Sequence, residues 1–410
     1  MPTGMLFKFT FIFLTTVSFA HAEAFIAEDS LEINSLNTKI ETLNFNRKIN
    51  RSAYLPELNL KTGLGSEKLL DNDYDTEKGP LLFLEGKLNL YRGGRDSNLQ
   101  DKTDKEIAAS KIEKEIINRF VKIEAFKLLT EIELLTKENA LIGQELESNK
   151  NQELMARKKV NAGLTTSVDL LDFSLKHESL LNDLERNSFK RITLEKELIV
   201  LFGGSLSPNE ISKSIKAAPQ EAPDKNVSIE TLPRIALLRQ KNEINTIERK
   251  SVKAEYLPVV ELNADWGYIT PQNKLWDSDK EHRVALTVSI PLFSGFSTDY
   301  KYQQAVLTET QTMRELKQTQ IDLEAKKDLQ LKQIELSNKI LLSLEKSRTS
   351  SQKYRELTIS EYKRGVKNSP DVISASDKLL EIERKILETQ NELLIAKFSF
   401  KETFKPYEDQ

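Results

Sequence analysis

The chain contains no cysteine. That excludes disulfides, thiolate metal sites, a cysteine nucleophile and acyl anchoring through an N-terminal cysteine. Histidine is nearly as scarce: His21 falls in an apolar leader, His177 in a helical stretch and His282 at the start of a strand. No histidine pair is therefore placed for metal or triad chemistry, and neither an enzyme, a cofactor nor a metal site is expected. Charge of one sign is also lacking, since 60 basic and 63 acidic residues are interspersed along the sequence. Nothing in that balance points to nucleic acid as a partner. After the first two dozen residues no apolar run reaches the ~18 residues of a membrane helix, so a helical membrane protein is excluded. With 39% hydrophobic residues and a mean hydropathy of −0.46, composition alone describes a polar, helix-rich chain whose 410 residues would ordinarily make two or three domains.

The N-terminus points elsewhere. Lys8 precedes an apolar run from Phe9 to Phe19, and Ala20-His21-Ala22 places small residues at the two positions a signal peptidase reads. Residues 1–22 are expected to be a cleaved secretory signal, with a mature chain starting near Glu23. Export without cysteine means that any attachment to a membrane must come from the fold.

Self-similarity is the strongest signal that is present. Tyr54-Leu55-Pro56 recurs as Tyr256-Leu257-Pro258, Leu90-Tyr91-Arg92-Gly93 as Leu292-Phe293-Ser294-Gly295, and the stretch holding Gly163, Ser167 and Asp169 as that holding Gly365, Ser369 and Asp371. All three pairs share one offset, 202 residues from Pro56 to Pro258 and from Gly163 to Gly365. The sequence therefore divides into a first repeat over 23–202, a linker over 203–226 and a second repeat over 227–410.

Each repeat runs through the same periodicities in the same order. Residues 25–52 and 228–255 read as helices, Pro233 being tolerable near the start of the second. Next come two segments of period-2 alternation: Glu57, Asn59 and Lys61 against Leu58, Leu60 and Thr62, then Glu85, Lys87 and Asn89 against Leu84, Gly86 and Leu88. The second repeat sets Glu261, Asn263 and Asp265 against Leu262, Ala264 and Trp266, then Arg283, Thr287 and Ser289 against Val284, Leu286 and Val288. These are four strands of about ten residues each. A soluble antiparallel sheet would alternate in the same way. The length of the segments, the full charges on their polar face, and Tyr91, Trp266, Tyr268 and Phe293 near their ends favour strands that cross a bilayer at a tilt. Four strands cannot close a barrel, and open edges are not tolerated in lipid. Copies must therefore share one barrel, and three copies, with twelve strands, are the fewest that leave an open lumen.

After Gly93-Gly94 no proline occurs until Pro208, and the run from Ser297 is interrupted only at Gly365 and Pro370. A helix from Arg95 to about Val160 would be roughly 100 Å long. Each run turns at its glycine and returns as a shorter helix, near 168–202 and 371–403. Met313, Leu316, Leu323, Ile334, Leu341 and Leu344 lie on a 3-4 lattice that Gln320, Lys327, Gln330 and Ser337 interrupt, which suits a wall of helices around water better than a dry core. A periplasmic structural coiled coil, or an adaptor protein without a membrane barrel, is the alternative reading.

The series helix, "YLPELNLKTGLG", "LNLYRGG", long helix, "NAGLTTSVDLLD", repeated as "YLPVVELNADWG", "VSIPLFSGF", long helix and "YKRGVKNSPDVISA", resembles the TolC-like outer membrane efflux proteins. The resemblance spans essentially the whole mature chain. It implies a mainly α fold with membrane β: a homotrimeric channel-tunnel, with a shared 12-stranded barrel in outer membrane lipid continued by an α-helical barrel through the periplasm. The duct would serve efflux or type I secretion, gated at its periplasmic tip, with a periplasmic adaptor and an inner-membrane transporter as partners. It further implies adaptor docking at Gly163, Leu164, Thr165, Gly365 and Val366. A gate is implied in which Asp169 is linked to Tyr362 and to Lys367, where the family's usual arginine is replaced by lysine and loses bidentate geometry. An acidic ring at the entrance would use Asp371, with Ser374 where the best-known members carry a second acid. The residues alone allow a plainer role for Asp169 and Asp371, as caps of helices starting at Leu170 and Val372.

Overall fold

The computed structural model describes residues 30–68, 76–204, 226–270 and 279–408. The expected signal peptide and nearly all of the 203–226 linker lie outside the described residues. In chain order the elements are α1 (Leu31–Ser52), β1 (Glu57–Lys68), β2 (Thr76–Arg92), α2 (Arg95–Asn161), α3 (Ser167–Leu201), α4 (Pro233–Lys253), β3 (Val259–Tyr268), β4 (Glu281–Ser289), α5 (Ser297–Lys363) and α6 (Ser369–Thr403), with short 3-10 turns at Ile229–Thr231 and Ala254–Tyr256. The helix expected over 228–255 starts late, because Leu232 before Pro233 is extended (φ −75°, ψ 145°). Proline disfavours a helical residue before it but sits well at the first helical position. Both long helices have 67 residues and both return helices have 35.

The chain forms two compact units, and each draws on both sequence halves. One comprises residues 35–116, 226–328 and 404–410. It holds an antiparallel sheet in the order β1-β2-β3-β4. In that register Leu60 stands opposite Leu84, Leu84 opposite Trp266, Leu88 opposite Leu262, and Leu262 opposite Leu286. The polar series is equally continuous, with Asn59 opposite Glu85, Glu85 opposite Asp265 and Asp265 opposite Arg283. Because side chains alternate along a strand, one face of the sheet is mainly apolar, with Thr62, Ser66 and His282 among its residues, and the other carries the run of paired charges. Lys61–Glu85 (2.6 Å) and Lys87–Glu261 (3.0 Å) pair on the charged face. Leu60, Leu64, Val284, Leu286 and Val288 are exposed on the apolar one.

The helices of this unit stand side by side in a row. Lys39–Glu113 (2.8 Å) joins α1 to α2, Lys105–Glu243 (2.5 Å) joins α2 to α4, and Arg249–Glu309 (2.8 Å) joins α4 to α5. Exposed pairs of this kind stabilise little individually. Their value is to define neighbours, and the interfaces they line are polar.

The other unit comprises, of the described residues, 30–34, 117–204 and 329–403 and packs the remainder of α2 and α5 with α3 and α6. Its apolar clusters are small. Val121 and Ala125 of α2 pack on Leu198 and Phe202, Ile142 packs on Leu180 and Leu380, and Phe126 stacks on Phe398 at 4.0 Å between ring centres. Between the clusters lie charges: Arg355 donates to Glu145 Oε2 (2.8 Å), Ser148 Oγ (2.6 Å) and Ser376 Oγ (3.0 Å). Burial pushes the Glu145 carboxyl above its ordinary value, against the opposing pull of Arg355. The buried residues of α5 are Thr298, Ala305, Thr312 and Leu323 in the sheet-bearing unit and Ile334, Ser337, Ser351, Thr358 and Tyr362 in this one, a sparse set, mostly seven or more residues apart, that includes polar side chains. Met313, expected on the 3-4 lattice, is 52% exposed, and Thr312 takes the place.

Candidate functional site

The turns α2–α3 and α5–α6 are built alike. Gly163 and Gly365 adopt φ of 70° and 81°, the left-handed conformation that glycine takes without strain. Leu164 N donates to Lys159 O and Gly163 N to Val160 O; Val366 N donates to Glu361 O and Gly365 N to Tyr362 O. Each long helix thus ends in the paired 6→1 and 5→2 bonds of a Schellman cap. A Cβ on either glycine would meet nothing within 4 Å. Backbone conformation, not crowding, is what requires glycine there. Leu164 and Val366 beside them are 76% and 69% exposed, leaving an apolar side chain projecting from each turn.

The return helices begin earlier than Leu170 and Val372, at Ser167 and Ser369. This places Asp169 and Asp371 on the third residue of a helix, and the two aspartates then behave differently. Asp371 N donates to Asn368 Oδ1 (3.3 Å) and Asn368 N donates to Asp371 Oδ2 (3.3 Å), a reciprocal capping box. Lys367 Nζ lies 3.5 Å from Asp371 Oδ1. Asp169 instead reaches another helix, accepting from Ser369 Oγ (2.6 Å) and Ser369 N (3.4 Å) as well as from Thr165 Oγ1. Burial works against its charge, but the hydrogen bonds from Ser369 and Thr165, helped by the Lys159 charge, outweigh that and hold the carboxyl below its ordinary value. Ser369 Oγ also lies 2.7 Å from Asp172 Oδ2, so one hydroxyl faces two carboxylates with a single proton to donate.

Tyr362 is 1% exposed, in a cluster with Ala156, Phe173 and Val372. Its ring meets Phe173 edge-on at 5.9 Å. Lys159 Nζ sits 3.9 Å from its ring centre and donates to its carbonyl, a cation on a π face that also serves the C-terminal end of α5. The hydroxyl has no hydrogen-bond partner among the described residues. Burial, and then the nearby Asp169 charge, push it up to about 12. The structure therefore brings Asp169 and Tyr362 into one cluster without a bond between them, and ties Lys367 to Asp371 instead.

No family model and no curated protein matches the sequence. Solved structures do match. The outer membrane protein VceC of Vibrio cholerae superposes with a TM-score of 0.80 at 14% identity, over 95% of this chain and 96% of that one. The fold is that of these outer-membrane channels. The CmeC outer membrane channel of Campylobacter jejuni gives a TM-score of 0.78 at 14% identity, over 95% and 87% of the two chains. The open state of the MtrE outer membrane channel of Neisseria gonorrhoeae gives 0.74 at 14% identity, over 94% and 88%.

Within this outer-membrane channel fold, the side chains that join the two hairpins at their turns include three that the sequence reading did not assign to the site: Lys159, Asp172 and Ser369, the last noted only as a landmark of the repeat. A signal for two of them was available. At the 202-residue offset Lys159 stands against Glu361 and Asp172 against Ser374, so the repeats differ in charge at the positions where the hairpins meet. Ser369 stands against Ser167 and carried no such signal.

Proposed function

We propose that the chain is an outer-membrane channel-tunnel, the exit duct of a tripartite efflux or type I secretion system, and that its two similar halves arose by duplication. The observation that carries this reading is the sheet register. One face is mainly apolar, the other carries the charges, and among the described residues the β1 and β4 edges have no partner strand. An apolar face about one bilayer tall opposite a charged face is what a water-filled membrane barrel needs, and unpaired edges in lipid need further copies to close them. Three copies make a twelve-stranded barrel with a lumen. The polar interfaces between the helices fit a tube of helices in the periplasm.

The turns of the two hairpins would form the periplasmic end. Gly163, Leu164, Thr165, Gly365 and Val366 offer an adaptor two open backbone turns with exposed apolar side chains. Asp169, Tyr362 and Lys367 lie at this end as the gate. Lys367 is exposed in the α5–α6 turn and held only at 3.5 Å, by Asp371 in the first turn of α6, which suits a bond to a neighbouring copy. Asp371 beside it would contribute one carboxylate per copy to an acidic entrance ring. The exported substrate is set by the transporter that the duct meets. Only four methionines and three histidines weigh against dedicated copper or silver handling.

Planar-bilayer recording of the purified, detergent-solubilised protein tests the reading. Discrete, low-conductance openings are expected. Protein that is fully soluble after cell breakage and leaves bilayers silent would favour the periplasmic coiled coil instead.

A further inference from the structure

Within one chain, the polar contacts that join the first hairpin (α2–α3) to the second (α5–α6) at the turns are made to the expected gate residues Tyr362 and Asp169 by two side chains outside that gate, Lys159 and Ser369, beside the apolar cluster of Ala156, Phe173, Tyr362 and Val372. We propose that Lys159 and Ser369 are the positioning residues that pin the second hairpin to the first, and that releasing them is what lets the hairpins separate. The proposal rests on the reading of the chain as a channel gated at this end.

The two pins are chemically different and cross in opposite directions. Lys159 leaves the last turn of α2 and places its ammonium against the Tyr362 ring, 3.9 Å from the centroid, while donating to the Tyr362 carbonyl. That carbonyl also accepts from Gly365 N, so the lysine holds the glycine cap on which the α5–α6 turn depends. Ser369, the first residue of α6, reaches back to α3 and gives its hydroxyl to Asp169 while facing Asp172. Removing that hydroxyl would take the one donor shared by these two neighbouring carboxylates of α3, leaving Asp169 with only Ser369 N and the Thr165 hydroxyl. The next cross-links lie further along the helices, at Lys176–Asp377, Arg355–Glu145 and Arg384–Asp183. They can hold the bundle together while the ends part. Lys367, by contrast, bonds to Asp371 four residues on and joins nothing across the hairpins of one chain.

The test uses full-length protein and two readouts. Lys159→Met keeps the aliphatic stem and removes the charge, and Ser369→Ala removes only the hydroxyl. Combined, they should raise amide exchange in the first turns of α3 and α6 by about tenfold or more, the scale of a lost charge-assisted bond, and raise single-channel conductance. Lys159→Arg with Ser369→Thr should return both toward wild type, which separates pinning from general damage. Far-UV circular dichroism confirms that the helices persist. Exchange unchanged at the turns overturns the pins. Exchange raised with conductance unchanged overturns their role in opening, while leaving the channel reading intact. Exchange raised in a protein that never conducts, wild type included, contradicts the channel reading and upholds the pins as contacts.

Discussion

Ser369 Oγ donates to Asp169 Oδ1 across 2.6 Å, joining two helix starts 200 residues apart in sequence. Asp169 is 9% exposed, so its carboxylate depends on the protein donors Ser369 and Thr165 more than on water. Asp169→Ala removes the acceptor for Ser369 and Thr165 together and should lower the stability of this unit by about 1–3 kcal/mol, read as an earlier midpoint in urea. Asp371→Ala, at the matching position but with a solvated capping box, should cost nearer ~1 kcal/mol.

Tyr362 gives a spectroscopic signature. Its pKa in the folded chain is raised to about 12, above the unfolded value of about 10. The stabilisation from burying the neutral phenol is therefore fully present below pH ~10 and is lost as pH rises through about 12. Absorbance near 295 nm should show one late-titrating tyrosine that disappears in Tyr362→Phe. Since the hydroxyl has no partner among the described residues, that substitution should change stability little, whereas Tyr362→Ala should cost about 3–5 kcal/mol through the cavity beside Phe173.

Acid acts on the same junction with the opposite sign. The Asp169 carboxyl is lowered in the folded chain, so its contribution is complete above the unfolded value of about 3.9 and fades as pH falls through the lower folded one. Wild type should lose stability in that range more steeply than Asp169→Asn. Urea midpoints measured from pH 5 to pH 2 decide this.

Arg355 is bonded to the buried Glu145 at 2.8 Å. Arg355→Ala leaves a desolvated carboxylate without its cation and should cost about 3–5 kcal/mol. Replacing both by apolar residues should recover much of that loss. The urea midpoints of the single and double variants form the check.

Element order and most boundaries were legible in the sequence because the punctuation is local. Gly163 and Gly365 end the long helices through a backbone conformation that other residues avoid, and period-2 alternation marks every strand. The offset of 202 then supplied an internal comparison in place of relatives. The site was less legible because its contacts are between distant segments. Nothing local to Asp169 distinguishes it from Asp371, yet one crosses to Ser369 and the other closes a capping box. What separates them is the neighbour each meets: Lys159 stands near the first, where Glu361 occupies the matching position in sequence. The seam of α5 was misread at Met313 for a related reason. Hydrophobicity marked the methionine, but the interface it adjoins is polar and takes Thr312, which hydrogen-bonds to Asn245 at 2.8 Å.

The sheet offers its own test. Leu60 and Asn59 are adjacent but point to opposite faces. Leu60→Lys should block assembly in the membrane, costing about 2–4 kcal/mol per copy where lipid is deepest, and Asn59→Lys should be tolerated. Heat-modifiable bands on unboiled gels would report the difference.

On the proposed reading, one chain supplies only part of a barrel. Native mass spectrometry of the particle extracted from the outer-membrane fraction in detergent tests this most directly. A mass of three chains is predicted. A single chain, or a dimer that stays in solution without detergent, would contradict it.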